Sequence, residues 1–159
     1  MKQSTELINK FKQADSFDNY IKIIMPALSK NEKFARNLVA SFLLDKNPSI
    51  EELSDIKTAV SEAVTNSVVH GYSKMSGEIS LEASIIGDCL YIKVVDNGVG
   101  ISDIAQARQP FFTTGPEGER SGMGFTVMET FMDEVNVEHN TDGKGLVVEM
   151  VKVLKTCEQ

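Results

Sequence analysis

The sequence predicts an α/β fold: a two-layer sandwich whose mostly antiparallel sheet carries helices on one face. Three observations predict it. Residues 78–94 alternate apolar and polar around a Gly87-Asp88 break, the pattern of a half-buried hairpin. Two earlier stretches, 29–42 and 49–71, repeat apolar residues at helical spacing behind capping patterns. The chain then closes on a second pair of strand-like runs around Asp142-Gly143. Hairpins with helices laid over them bury one face of each layer.

Each element has its own signal. Residues 1–18 are polar apart from Leu7, Ile8, Phe11 and Phe17, which predicts an N-terminal extension of loose amphipathic turns, prone to flexibility. The remainder, 19–159, reads as one domain. Tyr20 to Met25 is apolar and β-branched, a strand that Pro26 ends. Ser29-Lys30-Asn31-Glu32 is a capping box opening a helix with Phe34, Ala35, Leu38, Val39 and Phe42 on its apolar face. Ser49-Ile50-Glu51-Glu52 repeats the box, and the helix it opens runs to Gly71, a stop signal. Its buried stripe is Leu53, Ile56, Val60, Ala63, Val64 and Ser67. Glu62 and Asn66 fall off that stripe with Asp55, Ala59 and Val69, facing away from the packed side. Ile79, Leu81, Ala83 and Ile85, then Leu90, Ile92 and Val94, give the hairpin its core face, and Asp96 sits where the strand leaves the sheet. A short helix is predicted over Ser102–Arg108, a mobile loop over 109–121, and a helix through Phe125, Met128, Phe131 and Met132. Val135–His139 and Leu146–Val153 form the last hairpin.

Composition narrows the function. Of 159 residues 42% are hydrophobic and 25% charged, enough for a core and a solvated surface. A net charge of −7 argues against nucleic acid as a direct partner. There is no membrane-spanning run and no signal-like start, so a cytoplasmic location is expected. Cys89 and Cys157 lack metal-ligand spacing and read as free thiols.

The chemistry concentrates in three blocks. In Glu62-Ala63-Val64-Thr65-Asn66 a carboxylate and a carboxamide stand four residues apart on one helix face. The carboxylate can take a proton from an attacking hydroxyl, and the amide oxygen can hold Mg²⁺. Asp96-Asn97-Gly98-Val99-Gly100 and Gly122-Met123-Gly124 are glycine clusters, where backbone approaches a ligand and offers N–H groups to phosphate. Each block alone is commonplace: a solvated glutamate, a turn, a pair of glycines. Together, in this order and at element edges, they read as a Mg·ATP site of a non-Walker kind, since G-x-x-x-x-G-K-[ST] is absent.

The same blocks resemble the GHKL ATPase and kinase superfamily, with its Bergerat ATP-binding fold. The text S-E-A-V-T-N-S-V-V-H-G-Y at 61–72, D-N-G-V-G-I at 96–101, Q-P-F-F-T-T at 109–114, E-R-S-G-M-G-F at 119–125 and M-E-T-F-M-D-E-V at 128–135 is similar to the anti-sigma factor serine kinases, above all the anti-sigma F family of sporulating bacteria. The resemblance implies a role for each residue. Glu62 would be the general base on a substrate serine and Asn66 the Mg²⁺ ligand. Asp96 would accept the adenine amino group, with Gly98 and Gly100 turning the chain under the base. Residues 109–121 would be an ATP lid, with Thr113, Thr114 and Ser121 at the nucleotide and Arg120 reaching the terminal phosphates. Gly122 and Gly124 would offer N–H groups at the positive end of the next helix. Arg36 would contact both a sigma factor and its antagonist. Two departures stand out: Leu146 follows Gly145 where the family has Thr, and residues 1–18 exceed the family's usual start.

The resemblance implies an anti-sigma factor that inhibits a sporulation sigma factor and, with Mg·ATP, phosphorylates a serine of an anti-anti-sigma protein, working as a homodimer. The alternatives are a general-stress anti-sigma kinase and a non-catalytic sigma-binding module that uses ATP as a structural ligand. An intact Glu62 speaks against the last.

Overall fold

The computed structural model describes residues 4–73, 75–110, 123–141 and 144–155. In chain order its elements are α1 (Glu6–Lys12), β1 (Asn19–Pro26), α2 (Ser29–Phe42), α3 (Ile50–Asn66), β2 (Glu78–Ile86), β3 (Cys89–Asp96), α4 (Ile104–Ala107), α5 (Gly124–Phe131), β4 (Glu134–His139) and β5 (Leu146–Val153). The strands form one sheet in the order β1-β2-β3-β5-β4, and each pairing is antiparallel. Register lines up the core rows: Ile23, Leu81, Val94, Val148 and Val137 lie side by side, as do Ile21, Ala83, Ile92, Met150 and Val135. A one-residue slip would send both rows to the opposite face. Side chains from α2, α3, α4 and α5 close over these rows in a single cluster, so the expected two-layer sandwich is the one that forms.

α3 is the central helix. Its capping box forms as expected: Ser49 Oγ accepts from Glu52 N–H, and the Glu52 carboxylate accepts from Ser49 N–H. Its buried surface is wider than one stripe. Ala59, expected to face outward, is fully buried, and Glu62, Asn66, Asp55 and Val69 are half-buried. The reason is packing on three sides: against α2 and α5, and against the sheet, whose core side chains share one cluster with those of α3. The box at Ser29 does not form. Leu28 is the N-cap with no side-chain bond, Asn31 Nδ2 donates to the Pro26 carbonyl, and Glu32 turns to Arg36. Phe34 is also off the buried face, since Ala35 and Val39 already meet α3 and leave it 57% exposed.

α1 lies on the opposite face of the sheet from the other helices. Ile8 and Phe11 pack on Tyr91 and Val151, with the Phe11 and Tyr91 rings stacked 5.1 Å apart. Seven residues are too few for a helix to hold alone. Two buried carboxylates secure it. Glu134 accepts from the N–H groups of Leu7 and Ile8 and from Ser4 Oγ, capping the helix from a distant strand. Glu149 accepts from Tyr91 O–H at 2.6 Å and Asn136 Nδ2 at 2.9 Å, and Lys12 Nζ lies 2.9 Å away. Burial pushes the Glu149 carboxyl upward, but these bonds outweigh it and hold the pKa below the usual glutamate value. Cys89 is a free thiol at the start of β3, while Cys157 and the Asp142-Gly143 turn lie outside the described residues. No helix among the described residues is long and apolar enough to cross a membrane.

Candidate active site

Glu62 and Asn66 lie one turn apart near the end of α3, and their side chains converge on the first residue of α5. A methyl group placed on Gly124 would stand 3.1 Å from Glu62 Oε2, and 3.2 and 3.3 Å from the Asn66 amide nitrogen and oxygen. Three residues separated by up to 62 positions in sequence therefore share one spot at a helix N-terminus, where the unpaired N–H groups and the dipole favour an anion.

Gly71 does not stop the helix. Ser67–Tyr72 continue it as a wider π-type turn, and the left-handed residue that ends it is Ser73, at φ +53°. Gly71 serves a different purpose: a Cβ there would lie 3.0 Å from the Asp96 carboxylate. Asp96 itself is 3% exposed. Its Oδ2 accepts from Ser67 Oγ at 2.9 Å and its Oδ1 from Gly98 N–H at 3.0 Å. Burial raises its pKa, opposed by the Gly98, Ser67 and Leu146 donors. The Leu146 influence comes through its backbone and does not depend on its side chain.

The glycines expected at this loop divide by cause. Gly100 has φ +73°, so it is needed for the turn. Gly98 has no positive φ but touches Gly71, whose carbonyl accepts from Val99 N–H at 2.8 Å. Gly145 has both a φ of +79° and backbone contact with Asp96. Asn140 completes the ring, donating to the Asp96 carbonyl and to Asn97 Oδ1. Sequence reasoning assigned no site role to Ser67, Tyr72, Gly145 or Asn140. The signal available for Ser67 was a hydroxyl in an otherwise apolar buried stripe.

Beside the site, Arg108 pairs with Glu129 of α5. Arg36 stands apart on α2. It is half-buried, ion-paired to Glu32 at 3.5 Å, with its Nε enclosed and without a hydrogen-bond partner. Thr113, Thr114, Arg120, Ser121 and Gly122, and nearly all of the expected loop, lie outside the described residues.

Comparison with known proteins identifies the family. A family model for the histidine kinase-like ATPase domain matches residues 25–152. The "Anti-sigma F factor" of Thermoanaerobacter pseudethanolicus is 52% identical over 138 residues, covering 87% of this chain and 96% of that protein. The protein of the same name from Clostridium kluyveri is 52% identical, covering 88% and 98%. Among solved structures, the RsbU and RsbW domains of a Mycobacterium tuberculosis protein superpose with a TM-score of 0.63 at 22% identity, over 86% of this chain and 32% of that one. The catalytic domain of histidine kinase ThkA gives 0.54 at 14% identity, over 86% and 96%. At those identities the structural likeness speaks for the fold, while the sequence relatives speak for the family. By the family model and these relatives the chain belongs to the histidine kinase-like ATPase family and, within it, to the anti-sigma F factors.

Proposed function

We propose that this chain is a cytoplasmic, dimeric anti-sigma factor that holds a sporulation sigma factor inactive and phosphorylates a serine on an anti-anti-sigma protein. The observation that carries the catalytic part is the convergence of Glu62 and Asn66 over Gly124. A proton acceptor and a hard oxygen ligand beside a helix N-terminus suit transfer of a phosphoryl group. Asp96, buried and lined by hydrogen-bond donors, suits an exocyclic amino group as its remaining partner.

In the proposed reaction the substrate serine enters beside Glu62. Its O–H proton passes to the Glu62 carboxylate as its Oγ bonds to the γ-phosphorus of ATP. The bond from that phosphorus to the β,γ-bridging oxygen breaks, and ADP leaves. Asn66 is the residue that would hold Mg²⁺, which takes its other ligands from phosphate and water and neutralises phosphate charge. One amide oxygen at the rim of the α5 N-terminus fits that demand. Gly124 keeps the approach open, and Gly122, Thr113, Thr114, Ser121 and Arg120 would complete the phosphate end. Arg36, a partly exposed cation on α2 beside Glu32, is the proposed contact for sigma factor and antagonist.

The test is transfer of labelled phosphate from ATP to a candidate anti-anti-sigma protein. E62Q should lower transfer about 10²–10⁴-fold and leave ATP affinity unchanged. Wild-type transfer by E62Q would remove the base. ATP binding without transfer by the unmutated chain would favour the non-catalytic module.

A further inference from the structure

Ser67 follows Asn66 directly and opens the π-type turn, 4% exposed. Its hydroxyl lies 2.9 Å from Asp96 Oδ2 and 3.4 Å from the Ala63 carbonyl. It has one proton to give, and the nearer, charged acceptor takes it. Gly98 N–H holds the other carboxylate oxygen. The Asp96 side chain is thus fixed at both oxygens, and neither bond asks the carboxylate to donate.

The other end of the turn fixes the backbone beyond Asp96. Tyr72 O–H donates to the Glu78 carbonyl at 2.6 Å and accepts from Asn97 N–H at 2.8 Å. Its ring packs closely against Gly77, where a Cβ would come within 2.1 Å of it. With the Val99 to Gly71 bond, the segment after Asp96 is held without help from Ser67. Removing the Ser67 hydroxyl therefore changes what the carboxylate does, not where its backbone is.

We propose that Ser67 is a positioning residue that sets purine selectivity, holding Asp96 as a pure acceptor for a 6-amino purine nucleotide against a 6-oxo one. This rests on the reading of Asp96 as the base-binding group. A carboxylate locked as acceptor meets the amino group of adenine as a partner and the carbonyl of guanine as a like-signed neighbour. Without the hydroxyl the buried carboxyl turns more freely and loses a donor that favours its charged form. Once protonated it can donate to a 6-oxo group, and discrimination falls.

The experiment is calorimetric titration of Mg·ATP and Mg·GTP into the full chain, its S67A and S67C variants and D96N. S67C keeps the volume and lacks a strong donor, and thermal unfolding without nucleotide checks that each variant is folded. Both Ser67 variants should lower the ATP-to-GTP affinity ratio about tenfold. A wild-type ratio in S67C, with D96N having lost it, would overturn the role of Ser67 while Asp96 keeps its own. An unchanged ratio in D96N would instead overturn the base-binding reading on which this inference stands.

Discussion

Substituting Gly98 by alanine tests whether the site is built on backbone contact. A methyl group there would lie 2.0 Å from the Gly71 oxygen, 2.2 Å from its carbonyl carbon and 2.7 Å from its Cα. All three are main-chain atoms, so no change of rotamer relieves the overlap. The loop and the π-type turn must separate. Two hydrogen bonds are at stake: Val99 N–H to Gly71 O at 2.8 Å and Gly98 N–H to Asp96 Oδ1 at 3.0 Å. Overpacking costs about 1–3 kcal/mol, and each bond about 1 kcal/mol. G98A should therefore lose roughly 3–5 kcal/mol of stability, a fall in Tm of about 6–20 °C, together with most of its ATP affinity. The control is G87A. Gly87 has φ +57° but open space around it, so alanine there costs only the left-handed penalty of about 1–2 kcal/mol and spares ATP binding. Circular dichroism melts and calorimetry read both variants. If G98A proved as stable as G87A and bound ATP normally, close approach would not be the reason for glycine at this position.

R36E should weaken binding to both sigma factor and antagonist by at least about tenfold and spare ATP binding; surface plasmon resonance with each partner checks this, and retained affinity for both would free the residue from that role. I8A removes a fully buried anchor of α1, so a loss of about 2–5 kcal/mol should appear as lost hydrogen-exchange protection over residues 6–12. Glu149 has its pKa lowered in the fold, so its contribution is complete above the ordinary value of 4.5 and is lost as pH falls below that through the folded value. The stability difference between the wild type and E149Q should accordingly be constant near neutrality and shrink only below pH 4.5; a difference that vanished between pH 5 and 7 would contradict the hydrogen-bonded, ionised state described for it.

What the sequence made legible was whatever depends on near neighbours. The 78–96 hairpin could be read because one face is core, so its alternation repeats the register. The Ser49 box could be read because donor and acceptor are three residues apart and nothing competes for Glu52 from within its own turn. The same pattern at Ser29 misled because Leu28 is the N-cap, which puts Ser29 inside the first turn, and Glu32 pairs with Arg36 instead. Ala59 was misassigned because one helical stripe describes contact with one partner, and α3 has three. Docking of α1 was hidden because its polar anchors are Glu134 and Glu149, more than 120 residues downstream. In the site, Glu62, Asn66 and Asp96 were visible as residue types at the right spacing. Gly71 was mistaken for a stop because a glycine needed for close approach looks the same in sequence as one needed for a turn.

That last ambiguity bears on how the site divides its labour. At Gly98 and Gly145 the atoms that a Cβ would strike, at 2.0 Å, belong to the backbone, so these glycines set where chain segments lie. At Gly71 and Gly124 the neighbours are the functional side chains themselves, Asp96 at 3.0 Å, and Glu62 and Asn66 at 3.1 to 3.3 Å. A methyl group at the first pair deforms the fold, while at the second pair it displaces only a carboxylate or an amide. The proposed base-binding and phosphate-binding ends each have one glycine of this second kind, and α3 with its π-type turn carries side chains for both: Glu62 and Asn66 for one, Ser67 for the other. Asn66 and Ser67 are adjacent in sequence. Side chains that serve the two ends are therefore carried by one continuous helical element, which resists distortion far better than two loops would. A nucleotide is flexible between base and phosphates, so a site that holds the groups for both ends on one rigid element fixes the bound conformation in advance and lowers the ordering cost of binding.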